Sequence, residues 1–214
     1  PNLQRLAGMG TFFTQAYCNA SACNPSRASV LSGVRPSTSG VYGNSSDWKT
    51  ALSGIDLLPA HFRKNGYRTF CAGKIFHHHG PAFQDYEIFD EYLPFPATMP
   101  PDSPMPEKTL CGVEYWYDQD GNRGGKISPN FDWGAWPADS TQHIDHRTVD
   151  WAIGRIKENN GPFFLAAGIF RPHMPFYSTP SFLEEYPMED LVMPEINPED
   201  LDDLPPGSIE FIKR

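Results

Sequence analysis

The sequence predicts an α/β protein on a mixed, mostly parallel sheet flanked by helices, and three stretches carry that prediction. Around residues 139–159, apolar residues recur at helical spacing, and after Gly161-Pro162 comes an unbroken apolar run, Phe163–Gly168. A helix feeding an apolar strand is half of a βαβ unit, and such a run suits a buried parallel strand. Ile55–Asn65 followed by β-prone Tyr67–Ala72 gives the same order again. Thr11–Tyr17, a loop, and a helix after Pro25 make a strand–loop–helix turn, the place where open α/β sheets carry their sites.

The 214 residues are enough for one sizeable core. The formal charge is −9, from 17 basic and 26 acidic residues, which argues against a nonspecific nucleic-acid binder. It leaves room for a small anion, because a site can be locally basic on an acidic protein. No apolar run approaches the roughly 18 residues of a membrane span, so none is expected. The chain starts at Pro1 rather than Met and reads as a fragment or a processed product, so the lack of a signal peptide is uninformative. Cys18, Cys23, Cys71 and Cys111 show no Cys-x-x-Cys spacing. With Cys23 reserved, the other three cannot all pair within the chain, and the redox compartment stays open. The 22 prolines, beside 14% aromatic residues, predict long ordered loops. Residues 1–214 are read as one partial domain with a loop-rich insertion at 81–137.

In chain order, Leu3, Leu6 and Ala7 look like the end of a helix closed by Gly8 and Gly10. Thr11–Tyr17 then delivers the chain to Cys-Asn-Pro-Ser-Arg-Ala-Ser-Val-Leu-Ser-Gly at 23–33. Pro25 suits the first position of a helix, Val30 and Leu31 are its apolar residues, and Gly33 is its stop. Cys23 falls just ahead of that helix start, where orphan N–H groups and the dipole favour negative charge. Arg27, one turn in, offers a bidentate fork for an oxyanion. The alternative is a cysteine that is merely a small buried hydrophobe.

Residues 34–54 are loop-like, rich in Ser, Gly and Pro. The helix at Ile55–Asn65 carries Leu57, Leu58 and Phe62 on one side and stops at Gly66. After the strand at Tyr67–Ala72 comes Gly73-Lys74-Ile75-Phe76-His77-His78-His79-Gly80. Three readings stand side by side: a solvated loop, a transition-metal site short of ligands, and an anion site in which Lys74 supplies charge and a His carries protons. The insertion at 81–137 is too long to be idle. It is read as folding over the site, against the alternative that its aromatics only pack it onto the core. Asp139 or Ser140 caps the helix that runs to about Asn159, with Ile144, Thr148, Trp151, Ala152 and Ile156 as its apolar stripe. The apolar strand opens into Ile169-Phe170-Arg171-Pro172-His173-Met174-Pro175-Phe176, where two prolines stiffen the mount of His173. That His is either catalytic or a bridge between loop carbonyls. Residues 178–187 read as a short helix, and the Pro-rich acidic tail from Met188 as an extended surface strap.

Cys23, Pro25, Ser26, Arg27, Leu31, Ser32 and Gly33 fill the pattern Cys-x-Pro-Ser-Arg-x-x-x-Leu-Ser-Gly, which resembles the signature of type I sulfatases. Gly66-Tyr67-x-Thr69-x-x-x-Gly73-Lys74-x-x-His77 resembles a second segment of that family, and its Lys-x-x-His spacing is similar to the iduronate-2-sulfatase-like branch. Arg171-Pro172-His173-x-Pro175-Phe176 resembles that branch's Lys-Pro-His-x-Pro-Phe, with Arg where Lys is common.

The resemblance implies an alkaline-phosphatase-like fold and sulfate ester hydrolysis, with a sulfated sugar favoured as substrate. It implies that Cys23 becomes formylglycine through a formylglycine-generating enzyme that reads the Pro and Arg. It further implies that Arg27 and Lys74 hold the sulfate, with Lys74, His173 and Arg171 as substrate contacts and His77 and His173 as proton carriers. Ca²⁺ is the implied cofactor. Only Cys23, once modified, ligates it here, because the family's paired carboxylates and second lysine lie in segments this chain lacks. An extracytoplasmic location is implied on the same ground.

Three rivals differ in class. A Cys-dependent phosphatase wants its Arg six residues after the Cys, whereas Arg27 is four after Cys23. A metal-dependent phosphoesterase of the same superfamily generally carries Ser or Thr at the nucleophile. A binding protein that has lost turnover keeps the fold alone.

Overall fold

A computed structural model describes residues 2–77, 86–94, 110, 115–117, 123–125, 132–136 and 140–212. Those residues fall into two compact units that divide between Thr179 and Pro180.

The first unit opens with α1 (Asn2–Ala7), closed by Gly8, whose N–H donates to the Gln4 carbonyl at 3.0 Å. Residues 11–17 are not the expected strand but irregular chain, with Phe12, Phe13 and Tyr17 exposed. β-Propensity acts only where a ladder and a packed face receive it, and no described strand pairs with this run. Next come α2 (Cys23–Ser32), two single-turn helices α3 (Pro36–Ser39) and α4 (Trp48–Ala51), and α5 (Leu58–Lys64). The stretch at 34–54, expected as loop, thus holds two short turns. Asp47 caps the second by accepting from the N–H groups of Lys49 and Thr50.

The central sheet has three parallel strands in the order β2-β1-β6, where β1 is Arg68–Gly73, β2 is Glu91–Leu93 and β6 is Phe163–Gly168. Between β2 and β6 in the chain lie β3 (Tyr115–Tyr117) and β4 (Arg123–Gly125), an antiparallel pair, and β5 (Trp133–Ala135). β5 pairs in parallel with β7 (Phe176–Ser178), Trp133 opposite Phe176. β1 and β6 run in register from Arg68↔Phe163 to Gly73↔Gly168.

Their connection is α6 (Ile144–Glu158), which packs along both strands and completes the expected βαβ unit. Ile144, Thr148 and Ala152, one turn apart, are its buried line, while Ile156 of the expected stripe is exposed. Its N-cap is His143, preceded by a 3-10 turn at Ser140–Gln142, not Ser140; Asp139 lies outside the described residues. β6 is less buried than its apolar run predicts, Phe163 being 38% exposed, because among the described residues it pairs on one edge only.

Ala28 and Leu31 of α2 pack with Trp48, Leu57, Cys71, Phe76 and Phe89 in the main core, and Phe164 and Ala166 of β6 lie against it. Phe70 and Ala72, out of phase with Cys71 along β1, are buried outside that cluster, as the two-residue period of a strand requires.

Most of the expected insertion at 81–137 falls outside the described residues. Its described 132–136 segment is stitched to the chain after His173. Buried Asp132 accepts from the Tyr177 hydroxyl at 2.5 Å and from the N–H of Leu110 at 3.1 Å, and the Phe176 N–H donates to the Asp132 carbonyl at 2.8 Å. The second unit holds α7 (Pro180–Leu183), a 3-10 turn at Met188–Asp190 and α8 (Pro206–Ile212). The tail is therefore not an extended strap throughout. Pro206 opens a terminal helix, as proline does at a first helical position.

No helix among the described residues is long and apolar enough to cross a membrane.

Candidate active site

α2 starts two residues earlier than its proline suggests. Cys23 is its first residue, half-buried, with Ala22 as an N-cap that has no side chain to offer. Pro25 then sits within the first turn, where its missing N–H is no loss. The Asn24 N–H goes to Asn44 Oδ1 at 3.0 Å and the Ser26 N–H to the Ala22 carbonyl at 3.1 Å. The helix start thus contributes its dipole more than free amides. Asn24, 2% exposed, locks it in place: its Nδ2 donates to the carbonyls of Gly43 at 3.1 Å and Ser46 at 2.9 Å. Gly33, at φ 73°, closes the helix, as expected.

Arg27 bridges α2 to the end of β1. Its Nη1 donates to the Lys74 carbonyl and, at 3.1 Å, to the Ile75 carbonyl. Lys74 follows β1 directly, and two glycines make that position possible. Gly73 has φ +71°, and a Cβ there would lie 2.1 Å from the Gly168 carbonyl oxygen; a Cβ on Gly168 would lie 2.1 Å from the Lys74 carbonyl oxygen. This close crossing lets the Lys74 N–H reach the Gly168 carbonyl at 2.9 Å. The Lys74 side chain is 3% exposed, with its ammonium 5.0 Å from the centre of the Phe170 ring. Burial lowers its pKa, Arg27 adds to that, and Cys23 opposes it. The Arg27 pKa is also lowered, first by burial, again with Cys23 opposing. His77 is half-buried in the same turn; His78 and His79 lie outside the described residues.

The loop after β6 brings the remaining groups. The His173 ring lies 4.8 Å from the Phe170 ring, and its Nδ1 is 2.8 Å from the Met174 carbonyl. A carbonyl only accepts, so Nδ1 carries the proton and neutral His173 presents a lone pair at Nε2. Burial lowers the His173 pKa; the Met174 carbonyl works the other way, while Lys74, Arg171 and Arg27 lower it further. Arg171, expected as a substrate contact, also clamps its own loop. Its Nη1 donates to the carbonyls of His173, at 2.9 Å, and Pro175.

Cys23 acts on Arg27 and Lys74, and Lys74, Arg171 and Arg27 act on His173, so these residues from three separate segments form a chain of electrostatic neighbours. Two cations beside one potential nucleophile, with a third cation and a His next to them, make an arrangement that suits an anion. It is a poor site for a hard cation, which takes six to eight oxygens. No group of three His, Cys, Asp or Glu among the described residues is placed to hold a metal ion.

An open cleft of about 530 Å³ passes the start of α2, lined by Cys23, Ser26, Arg27, Val30, Ile75 and Phe164 among others. Lys74, His77 and His173 do not line it. The anion-facing groups and the cleft meet only at Cys23 and Arg27.

Sequence reasoning missed two members of this arrangement. Phe170, 3% exposed, is the ring that both Lys74 and His173 rest against. Asp145 accepts from the backbone N–H groups of Phe170 and Arg171, at 2.6 and 3.0 Å. An apolar residue at a strand end and an acid in a first helical turn look ordinary in sequence, and only the fold makes them neighbours.

The family model described as Sulfatase matches residues 1–197. A Formosa agariphila protein named Sulfatase is 39% identical over 99% of this chain and 41% of its own length. The mouse iduronate 2-sulfatase is 32% identical over 96% of this chain and 36% of its own length. The chain thus spans about two fifths of the curated relatives it matches. Among solved structures, one described in complex with its substrate D-glucosamine-2-N,6-O-disulfate superposes with a TM-score of 0.56 at 20% identity, over 92% of this chain and 34% of that one. That likeness shows the fold, the alkaline-phosphatase-like α/β architecture expected from the sequence.

Proposed function

We propose, because this chain belongs to the sulfatase family, that the whole protein hydrolyses sulfate esters at position 23. The placing of Arg27 and Lys74 beside Cys23, with His173 beside those two cations, is the observation that carries this reading. The thiol stands here for the side chain that acts: a formylglycine hydrate, with two hydroxyls on one carbon in place of Sγ. One hydroxyl oxygen attacks sulfur and gives up its proton to solvent, the bond from sulfur to the ester oxygen breaks, and the leaving alcohol takes a proton. Lys74 and Arg27 offset the negative charge on the sulfate oxygens. His173, when protonated, delivers the leaving-group proton from Nε2, since Nδ1 is held by the Met174 carbonyl. His77 takes the proton of the second hydroxyl. The carbon–oxygen bond to the sulfate then breaks, the aldehyde returns, and a water adds to it to restore the hydrate. A cysteine thiol has no second hydroxyl for that step.

A sulfated sugar is the substrate class we favour, on the iduronate 2-sulfatase relative and the glucosamine disulfate complex. Ca²⁺ is kept as a proposal for the whole protein, with residue 23 as one ligand and the others outside the described residues. The described residues do not fit it, and no step above passes through it. Arg171 positions the His173 loop and lends charge to the substrate's surroundings.

The test is mass analysis of the tryptic peptide that ends at Arg27, together with turnover by Cys23→Ser in the whole protein. The expected results are an aldehyde at residue 23 and activity below about a thousandth of wild type. An unmodified thiol in an active enzyme, or near-normal turnover by the variant, refutes the reading.

A further inference from the structure

We propose that Asp145 is a positioning residue: its carboxylate holds the loop that aims His173 and supports Lys74. The inference rests on the proposed role of His173 as acid.

Asp145 lies in the first turn of α6, where an acid is usually a partner for the helix dipole. Here it does something further. Oδ1 accepts from the Phe170 N–H at 2.6 Å and Oδ2 from the Arg171 N–H at 3.0 Å. These are the amides just beyond Ile169 at the end of β6, where the strand ladder has stopped. One carboxylate thus takes two successive amides of another element, and its side chain is only 15% exposed.

The two residues it grips control the site differently. Phe170 supplies the ring under the Lys74 ammonium, at 5.0 Å, and beside His173, at 4.8 Å, and its carbonyl accepts from the His173 N–H at 3.1 Å. Arg171 folds its guanidinium back onto the carbonyls of His173 and Pro175. The Arg171 Nε also lies 3.4 Å from Nε2 of His143, the N-cap of the same helix. The α6 start and the His173 loop are therefore joined at the backbone by Asp145 and at the side chain by Arg171. Oriented acids lose most of their effect when displaced by about 1 Å, so this brace governs proton delivery without touching substrate.

The test uses the whole protein and aryl sulfates running from 4-nitrophenyl to 4-methoxyphenyl sulfate, with leaving groups of falling acidity. Loss of acid assistance hurts a poor leaving group more than a good one, whereas a loss of folded enzyme hurts both alike. His173→Ala fixes the reference pattern. Asp145→Asn keeps the shape but turns one acceptor into an NH₂ facing an amide N–H. It is expected to lower kcat/KM for 4-methoxyphenyl sulfate about tenfold more than for 4-nitrophenyl sulfate. Arg171→Lys, which retains charge but loses the fork, is expected to show the same skew, and it carries the test if the Asn variant does not fold. Equal losses on all esters in Asp145→Asn, or in Arg171→Lys where that variant stands in, with a skew in His173→Ala, overturn the brace and leave the acid role standing. No skew in His173→Ala overturns the acid role and the brace with it.

Discussion

Gly168→Ala tests whether the crossing of β1 and β6 governs the site. The added Cβ would meet three backbone atoms of Lys74, at 2.1 Å from O, 2.5 Å from C and 2.9 Å from N, none of them a flexible side-chain end. Ordinary contact begins at 3.4 Å, so the backbone at Lys74 must retreat by about 1.3 Å. Two consequences follow. The bond from the Lys74 N–H to the Gly168 carbonyl, 2.9 Å long, is stretched beyond use. Overpacking of a close contact costs about 1–3 kcal/mol and a lost buried hydrogen bond about 1 kcal/mol, so the fold should lose about 2–4 kcal/mol. The retreat also carries the Lys74 ammonium and both carbonyls that hold Arg27. A displacement of this size at an aligned site is worth on the order of 100-fold in turnover. Denaturant melts and kcat on a sulfate ester, both in the whole protein, read the two effects. Stability within about 0.5 kcal/mol of wild type and turnover within about threefold would refute the account of the crossing.

Lys74→Met should separate activity from stability. The ammonium is buried and its pKa is already pulled down by desolvation, so an apolar chain of similar length should leave thermal stability unchanged or higher while kcat/KM falls about 100-fold or more. A clear loss of stability, or retained kcat/KM, counts against the sulfate-binding role. The pH dependence has a definite sign. An acid works while protonated, and the His173 pKa is lowered from 6.5, chiefly by burial. The protonated fraction therefore falls as pH rises through a value on the acid side of 6.5. For poor leaving groups kcat/KM should decline from there, and a descending limb above neutrality that His173→Ala does not remove would rule out this assignment.

Several elements were legible in the chain because their causes are local. The 163–168 strand and the helix before it follow from an apolar run and a three-to-four-residue rhythm, both readable without neighbours. The stop of α2 at Gly33 follows from one residue's tolerance of positive φ. The start of α2 is less legible, because proline marks a first turn without saying which position of it is occupied. Thr11–Tyr17 was read as strand from composition, and composition cannot supply a partner strand.

By itself the sequence determined an α/β frame and offered Cys23, Arg27, Lys74 and His173 as candidates for its chemistry, in motifs whose spacing is local. Only the tertiary structure decided which of these groups become neighbours: Cys23 with Arg27 and Lys74, and those two cations with His173. Register between β1 and β6 sets Gly73 against Gly168 and so turns Lys74 inward. The α6 start reaches across to the end of β6, so that Asp145 holds Phe170 and Arg171. The fold also has Arg171 clamp the loop that carries His173. The physical reason is the range of the forces: propensity and capping act within a few residues, whereas burial, hydrogen-bond satisfaction and charge act between groups that only the folded chain brings together.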